Sequence, residues 1–280
     1  MAVNHAISHP FRSLLFVPGS RPDRFEKAIA SGTDSVCIDL EDAVATGDKD
    51  SATEAVQIFF QAPLNGAHVG VRINAIDDPQ SQRDLAMLAE TKVNPSFVMV
   101  PKVESDLEIV RTREALGANP PPLWSLAETP EAIVNANNIA KAVGPDGGIV
   151  FGGVDYSASI GSDLGWDALL FARGALVNAA AIGGCQLLDV PYLDVNDGDG
   201  MVAETRRVKS MGFPGRACIH PRQIDAVNEV FSPSQEEIDT AEKIVVAFEA
   251  AGGGVALLDG RLIEKPVLLA AQRTLSLKNC

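Results

Sequence analysis

Apolar residues along this chain gather in short β-rich runs, each followed by a longer stretch with apolar positions at helical spacing. The runs are Ser13–Val17, Ser35–Leu40, His68–Ile73, Ser96–Val100, Leu123–Leu126, Gly148–Gly152, Gln186–Val190 and Arg216–Ile219. Helical periodicity predicts Asp23–Ala30, Ser51–Phe60, Gln82–Thr91, Leu107–Leu116, Glu131–Val143, Ala168–Ile182, Met201–Met211 and Arg222–Phe231 as the intervening helices. Strands alternating with helices make βα units and a parallel sheet. Eight such units predict an α/β fold, a (β/α)8 TIM barrel over residues 1–231. A doubly wound open sheet is the alternative, but no GxGxxG follows the first strand, where the turn reads PGSRPDR.

Residues 232–280 leave this pattern and form a C-terminal helical extension. SPSQEE predicts a helix start, with Ser234 as cap and Glu237 completing the capping box. A helix to about Ala251, a glycine turn at residues 252–254, the run VALLDGRLIEKP and a last short helix follow. That is more chain than barrel closure needs. It reads as a lid, or as an arm packing on the barrel or on a neighbouring subunit.

Composition narrows the partners. A net charge of −14 disfavours nucleic acid and anionic membranes, though an anionic small ligand needs only a local cationic patch. No run is continuous enough to span a membrane, and the N-terminus lacks the pattern of a signal peptide. Cys37, Cys185, Cys218 and Cys280 show no paired spacing, and Cys37 and Cys218 lie in apolar runs. Buried thiols and a cytoplasmic protein are the expectation.

In a parallel barrel the chemistry gathers where the strands end. Glu128 and Asp155 follow the fifth and sixth runs, and two carboxylates at adjacent mouths suit a hard divalent cation. Mg²⁺ fits better than zinc, because no His or Cys accompanies them. Either acid alone reads equally well as a helix cap or a surface acid. Arg72 either neutralises nearby acids or holds a substrate carboxylate or oxyanion. Glu41 and Asp42, in CIDLEDAV, suit the orientation of metal-bound water. Asp39 is expected to point into the barrel or to pair with a base such as Lys102. Ser20 is a candidate cap, and Arg21, Arg24 and Lys27 bring cations to the first helix, an arrangement suited to phosphate or to nothing beyond surface charge. His220 is read as structural or as lying at a ligand's edge; His5, His9 and His68 carry no constellation.

Taken together, RSLLFVPGSRPDRFEKA, DLEDAV with Lys49, RINA, PKVES, AETPEAI, FGGVDYSASIG, GFPGRACIHPRQI and GRLIEKP resemble the citrate lyase beta-subunit-like proteins of the HpcH/HpaI aldolase superfamily. The resemblance runs in order from about Arg12 to Leu275. It implies a Mg²⁺-dependent carbon–carbon lyase that cleaves a short 3-hydroxyacyl-coenzyme A to an α-oxo acid and an acyl-CoA, and a homo-oligomer, habitually a trimer. Glu128 and Asp155 would ligate the metal, Arg72 would touch the reacting oxygen, and Glu41 and Asp42 would lie around the metal's waters. Pro18, Gly19, Ser20, Arg21, Arg24 and Lys27 would lie by the coenzyme A, and Gly152 and Gly153 would let amides approach a substrate carboxylate. In the C-terminal arm, where the resemblance implies an aspartate reaching a neighbour's site, this chain has Glu264. Two other readings follow: a citrate lyase beta subunit that works with an acyl-carrier partner, and a metal- and oxo-acid-binding barrel without turnover.

Overall fold

The computed structural model describes residues 10–89, 93–252 and 254–278. The chain forms two compact units, one running to Asn228 and the other beginning at Glu229.

The first unit is a closed barrel of eight parallel strands in sequence order. They are β1 (Ser13–Pro18), β2 (Ser35–Asp39), β3 (Val69–Arg72), β4 (Val98–Val100), β5 (Leu123–Ala127), β6 (Gly148–Phe151), β7 (Gln186–Asp189) and β8 (Gly215–Cys218). β1 pairs with both β2 and β8, which closes the ring and leaves no edge strand. Around it run α1 (Phe25–Ile29), α2 (Lys49–Phe59), α3 (Gln80–Leu88), α4 (Asp106–Ala115), α5 (Pro130–Val134), α6 (Ala136–Val143), α7 (Gly153–Ile160), α8 (Trp166–Gly183), α9 (Gly198–Met211) and α10 (Ile224–Phe231).

The strands and most helices lie where periodicity predicts them, with three differences. The helix predicted over Glu131–Val143 is two, α5 and α6, joined at Asn135. α7 lies outside the helices that periodicity predicts and begins to wind directly after β6. The predicted helix Asp23–Ala30 is a 3-10 turn, Pro22–Arg24, followed by the single-turn α1. Ser20 caps neither: Arg21 and Arg24 occupy the cap positions, because Pro22 starts the turn one residue too late for Ser20.

The strand period of two settles which side chains fill the barrel. Leu14, Cys37, Met99, Trp124, Leu126, Val150, Leu188 and Ala217 form its buried interior. Near the N-terminal end the filling is aromatic, with Phe97 against Trp124 and His68 stacked on Phe97. Gly70 and Gly148 make room: a Cβ there would lie 2.3 Å from the Phe97 ring and 2.6 Å from Trp124. Burial pushes the His68 imidazole down to about 4, so it belongs to this packing as a neutral ring. Cys37, Cys185 and Cys218 are buried and unpaired; Cys280, His5, His9 and Thr91 lie outside the described residues.

The second unit holds α11 (Gln235–Ala250), a hairpin of β9 (Ala256–Leu258) and β10 (Arg261–Ile263), and α12 (Lys265–Ser276). Ser234 caps α11 in a full capping box with Glu237, as its spacing predicts. The hairpin was not anticipated. Its signal is Asp259-Gly260 between apolar runs, with φ of 49° and 76°, the left-handed pair that a tight two-residue hairpin turn needs. Among the described residues no helix is long and apolar enough to cross a membrane.

Candidate active site

The inward alternation that fills the barrel continues past the strands and builds the mouth. Asp39 lies two residues beyond Cys37, Arg72 two beyond Gly70, Glu128 two beyond Leu126, and Gly152 two beyond Val150. Each therefore stands above the apolar layer on the inner face. All three charged groups are buried, so each needs a partner.

Asp39 and Arg72 find one another across adjacent strands. Arg72 Nε donates to Asp39 Oδ1 at 2.6 Å and Nη2 to Oδ2 at 2.5 Å, a bidentate pair. The same carboxylate accepts the backbone amides of Glu41 at 2.9 Å and Ala43 at 3.0 Å, folding DLEDA into a tight turn. Lys102 is thus not the partner of Asp39. Its ammonium donates to Glu41 Oε1 at 2.6 Å, because Asp39 is already saturated by Arg72 and the turn. Burial works against the charge on Arg72, but its hydrogen bonds to Asp39 and the charges of Asp39 and Glu41 outweigh it and hold the guanidinium cationic.

The remaining guanidinium nitrogen, Nη1, lies 3.1 Å from Glu41 Oε2. That oxygen is buried yet accepts no hydrogen bond, so the pair is close without being aligned. Burial raises the Glu41 carboxyl, against the pull of Arg72 and Lys102. Asp42 is half-exposed, 3.7 Å from Lys102 and 3.9 Å from Arg72 Nη1.

Glu128 is the least satisfied group of the mouth. Oε1 accepts the Lys102 backbone amide at 2.7 Å, while Oε2 is buried without a partner. Lys102 directs that amide through a left-handed backbone, φ 52°, which costs a non-glycine residue ~1–2 kcal/mol. Burial drives the Glu128 carboxyl up to about 8; Glu41 adds to the rise, the Lys102 amide and Arg72 oppose it, and Asp155 adds again. Asp155 stands in the first turn of α7 with its side chain exposed, rather than in a strand-end loop.

Two carboxylates of raised repulsion, one with an orphaned buried oxygen, fit a divalent cation. Glu128 and Asp155 would hold it by oxygen alone, as Mg²⁺ prefers, leaving positions for water and substrate. Among the described residues no cluster of three or more His, Cys, Asp or Glu gathers at a metal-binding spacing.

The two glycines differ in whether their amides remain available. The Gly152 amide is used up by Ala127 O at 2.9 Å, a continuation of the β-ladder, and does not face a substrate. Gly152 is needed because a Cβ would lie 2.4 Å from Glu128 Cβ. Gly153 opens α7, where a first-turn amide has no partner within the helix. At the other side of the mouth, the Gly19 amide donates to Asp39 O at 2.7 Å, tying the Pro18–Ser20 turn to β2. Arg21, Arg24 and Lys27 are all exposed, and Arg21 is engaged by Asp23 through two 2.8 Å contacts.

Some strand-end groups do not join the site. Asp189, at the end of β7, alternates with the inward Leu188 and faces the helices instead. There it takes Arg173 of α8 at 2.9 Å and Arg216 of β8 at 2.9 Å, in a buried cluster with Glu204 and Thr205. His220 caps the turn Pro221–Gln223 through its Nδ1, a structural role as expected. Glu264 is the exposed N-cap residue of α12 in the second unit.

A chain of buried polar groups behind the mouth escaped the sequence reading. Lys49 Nζ donates to the carbonyls of Leu40 and Glu41, each at 3.2 Å, and to Asn74 Oδ1. Asn74 in turn donates to Asp84, which also accepts from Thr53. The available signal was an acid at a core-facing position of a helix otherwise polar on its outer face.

Comparison with known proteins identifies the family. The family described as HpcH/HpaI aldolase/citrate lyase matches residues 12–221. A (3S)-malyl-CoA thioesterase of Cereibacter sphaeroides is 35% identical, with 96% of this chain and 95% of that protein covered. The mitochondrial citramalyl-CoA lyase of Homo sapiens is 34% identical, with 96% and 85% covered. The structure of protein CitE from Mycobacterium tuberculosis, in complex with magnesium, acetoacetate and coenzyme A, matches with a TM-score of 0.83 at 31% identity. That match covers 98% of this chain and 100% of the other. The chain is a member of the HpcH/HpaI aldolase/citrate lyase family.

Proposed function

We propose that the protein is a Mg²⁺-dependent carbon–carbon lyase that splits a short 3-hydroxyacyl-CoA, of the malyl, citramalyl or citryl type, into an α-oxo acid and an acyl-CoA. The observation that carries this reading is the orphaned, buried Oε2 of Glu128, whose carboxyl feels the charges of Asp155, Arg72 and Glu41. When bound, Mg²⁺ supplies Lewis-acid polarisation of the oxygen at the carbon that becomes a ketone.

The chain's own groups do the rest. The substrate hydroxyl loses its proton, the C–C bond breaks, its electron pair passes to the thioester as an enolate, and the enolate is protonated. Arg72, made rigid by Asp39, presents Nη1 to the oxygen that passes from alkoxide to carbonyl. A preorganised charged donor of this kind contributes ~3 kcal/mol to lowering the barrier. Glu41 Oε2, an acceptor with no hydrogen bond, and the exposed Asp42 suit the orientation of water at the same place. The Pro18–Ser20 turn with Arg21, Arg24 and Lys27 lies by the coenzyme A; the exposure of Arg24 and Lys27 supports their use for phosphate.

The protein works as a homo-oligomer, a trimer, in which Glu264 of one copy enters a neighbour's mouth. Exposed Leu257 and Leu262 on the hairpin of the second unit, at 72% and 53%, support a covered surface there. Its setting is cytosolic, in keeping with unpaired buried cysteines.

Incubation with malyl-, citramalyl- and citryl-CoA, with Mg²⁺ or EDTA, tests the activity. Metal-dependent oxo acid is the expected product. Free CoA thiol and an intact hydroxy acid would mark a hydrolase, and no metal-dependent product from any thioester would overturn the reading. Glu264 favours one further reading, a binding barrel without turnover, since a glutamate reaches one methylene further than aspartate. Activity gained in Glu264→Asp from an inactive parent would support it, and turnover by the parent would exclude it.

A further inference from the structure

Lys49, Asn74, Asp84 and Thr53 touch no reacting group in the scheme above, yet they fill the space behind the two strand mouths that carry it. Asp84 is fully buried on α3. Its Oδ2 accepts the backbone amide of Asn74 at 2.8 Å and the side-chain Nδ2 at 2.7 Å. Its Oδ1 accepts the Thr53 hydroxyl of α2 at 3.1 Å. The other end of the Asn74 amide accepts from Lys49 Nζ, whose two remaining protons go to the carbonyls of Leu40 and Glu41. All three donors of the ammonium are thereby used.

Asn74 is the only member that faces both a cation and an anion. An amide can do this because it offers a carbonyl at one end and an NH₂ at the other; a carboxylate or an alkyl group cannot. The chain Lys49–Asn74–Asp84 therefore ties the backbone of Glu41, after β2, to the residue two positions beyond Arg72, after β3. An ionic network of this kind is weak as a source of net stability, and fixing a register is its best-attested use.

That geometry matters at the mouth. Glu41 Oε2 and Arg72 Nη1 stand 3.1 Å apart without an aligned hydrogen bond. Opposite charges free to move would close into a linear, charge-assisted bond. Asp39 and Lys102 hold the two side chains, and the Lys49–Asn74–Asp84 chain grips the backbone of Glu41 and of Asn74, two residues beyond Arg72.

We propose that Lys49, Asn74 and Asp84 form a positioning clamp that sets the placement of Glu41 against Arg72, and thereby the seat of the reacting oxygen. The clamp rests on the lyase reading for its catalytic consequence, not for its existence. Displacement of about 1 Å at such a seat costs ~10²-fold in rate.

The test combines Lys49→Met and Thr53→Val with Glu41→Gln. Thr53→Val removes one hydroxyl at nearly constant shape, and carries the comparison if Lys49→Met does not fold. The expected result is a fall in kcat with KM for the thioester little changed, about 10–10²-fold for Lys49→Met. Glu41→Gln then adds less in the Lys49→Met or Thr53→Val background than in the parent. Hydrogen exchange followed by mass spectrometry reads the clamp without any turnover: segments 37–44 and 70–76 exchange faster in the variants, while β5 to β8 keep the parent's rates. Unchanged exchange at both mouths overturns the clamp. Altered exchange with fully multiplicative rate losses overturns its positioning role. A parent without lyase turnover defeats the lyase reading, and the exchange result still decides the clamp.

Discussion

Asp39 and Arg72 are locked in a two-point pair across β2 and β3, at 2.6 and 2.5 Å, above an apolar layer and beneath the barrel mouth. Two guanidinium nitrogens are thus fixed in the scaffold, and Nη1 alone turns toward Glu41. The pair converts a flexible side chain into a rigid donor, the form in which charge lowers a barrier without reorganising.

Asp39→Asn keeps the shape but removes the counter-charge and leaves Arg72 buried and half-satisfied. Breaking a buried pair from one side costs ~3–5 kcal/mol. Urea unfolding of the variant is expected to show a loss of that order, together with a fall in kcat. Stability equal to the parent's would mean that the pair does not hold Arg72.

Arg72→Lys retains a charge and loses the fork. Lysine cannot grip Asp39 at two points while presenting a third donor. The expected loss in kcat/KM is ~10²–10³-fold, the usual consequence of losing one preorganised donor. Steady-state kinetics on whichever thioester proves to be the substrate measures it.

Glu128→Gln removes the group whose charge the fold resists. Without metal and at pH above 8, the variant is expected to melt higher than the parent, since no buried carboxylate needs to ionise. Its melting temperature should no longer respond to Mg²⁺, and turnover should be lost. A variant whose midpoint still rises with Mg²⁺ would place the metal elsewhere.

The same carboxyl sets a pH dependence. Its folded-state value is raised to about 8 from 4.5, so between these limits the folded protein binds the extra proton. Stability of the metal-free protein therefore falls as pH rises through that window. His68 has the opposite sign: lowered to about 4 from 6.5, it removes stability as pH falls below 6.5. From pH 6.5 to 8 only the Glu128 effect remains of these two. The expectation is a melting midpoint that declines over that interval without metal and is restored by Mg²⁺, more so at pH 8 than at pH 6.5. Thermal melts at matched ionic strength measure it.

Gly152→Ala sets a methyl 2.4 Å from Glu128 Cβ, with both backbones fixed by the ladder to Ala127. Glu128 must move. The expected result is weaker Mg²⁺ binding by calorimetry and a rate loss of ~10²-fold, as for a misplacement of about 1 Å.

Much of this was legible in the order of residues. Eight apolar runs with helical stretches between them announce the barrel, because strand and helix periods are local properties of the chain. Arg72, Glu128 and Asp155 were visible as polar residues at or just beyond the ends of such runs, and Ser234 with Glu237 as a capping box. The Asp259-Gly260 hairpin carries a local signal as well, in its pair of turn residues.

What the residues alone determined is the set of groups delivered to the mouth. The strand period decides which positions point inward, so Asp39, Arg72, Glu128 and Gly152 follow from counting in twos. Pairing across strands was decided only by the tertiary structure. Closure of the ring sets β2 beside β3, so that Asp39 takes Arg72 and leaves Lys102 for Glu41. Alternation with Leu188 already turns Asp189 outward, and only the fold supplies the two arginines it meets there. Spacing along a chain carries direction, but which charge meets which depends on register between strands, and register is settled by burial of the whole. In CIDLEDAV the three acids look alike on paper; in the fold one anchors an arginine, one faces it unaligned, and one stays in water.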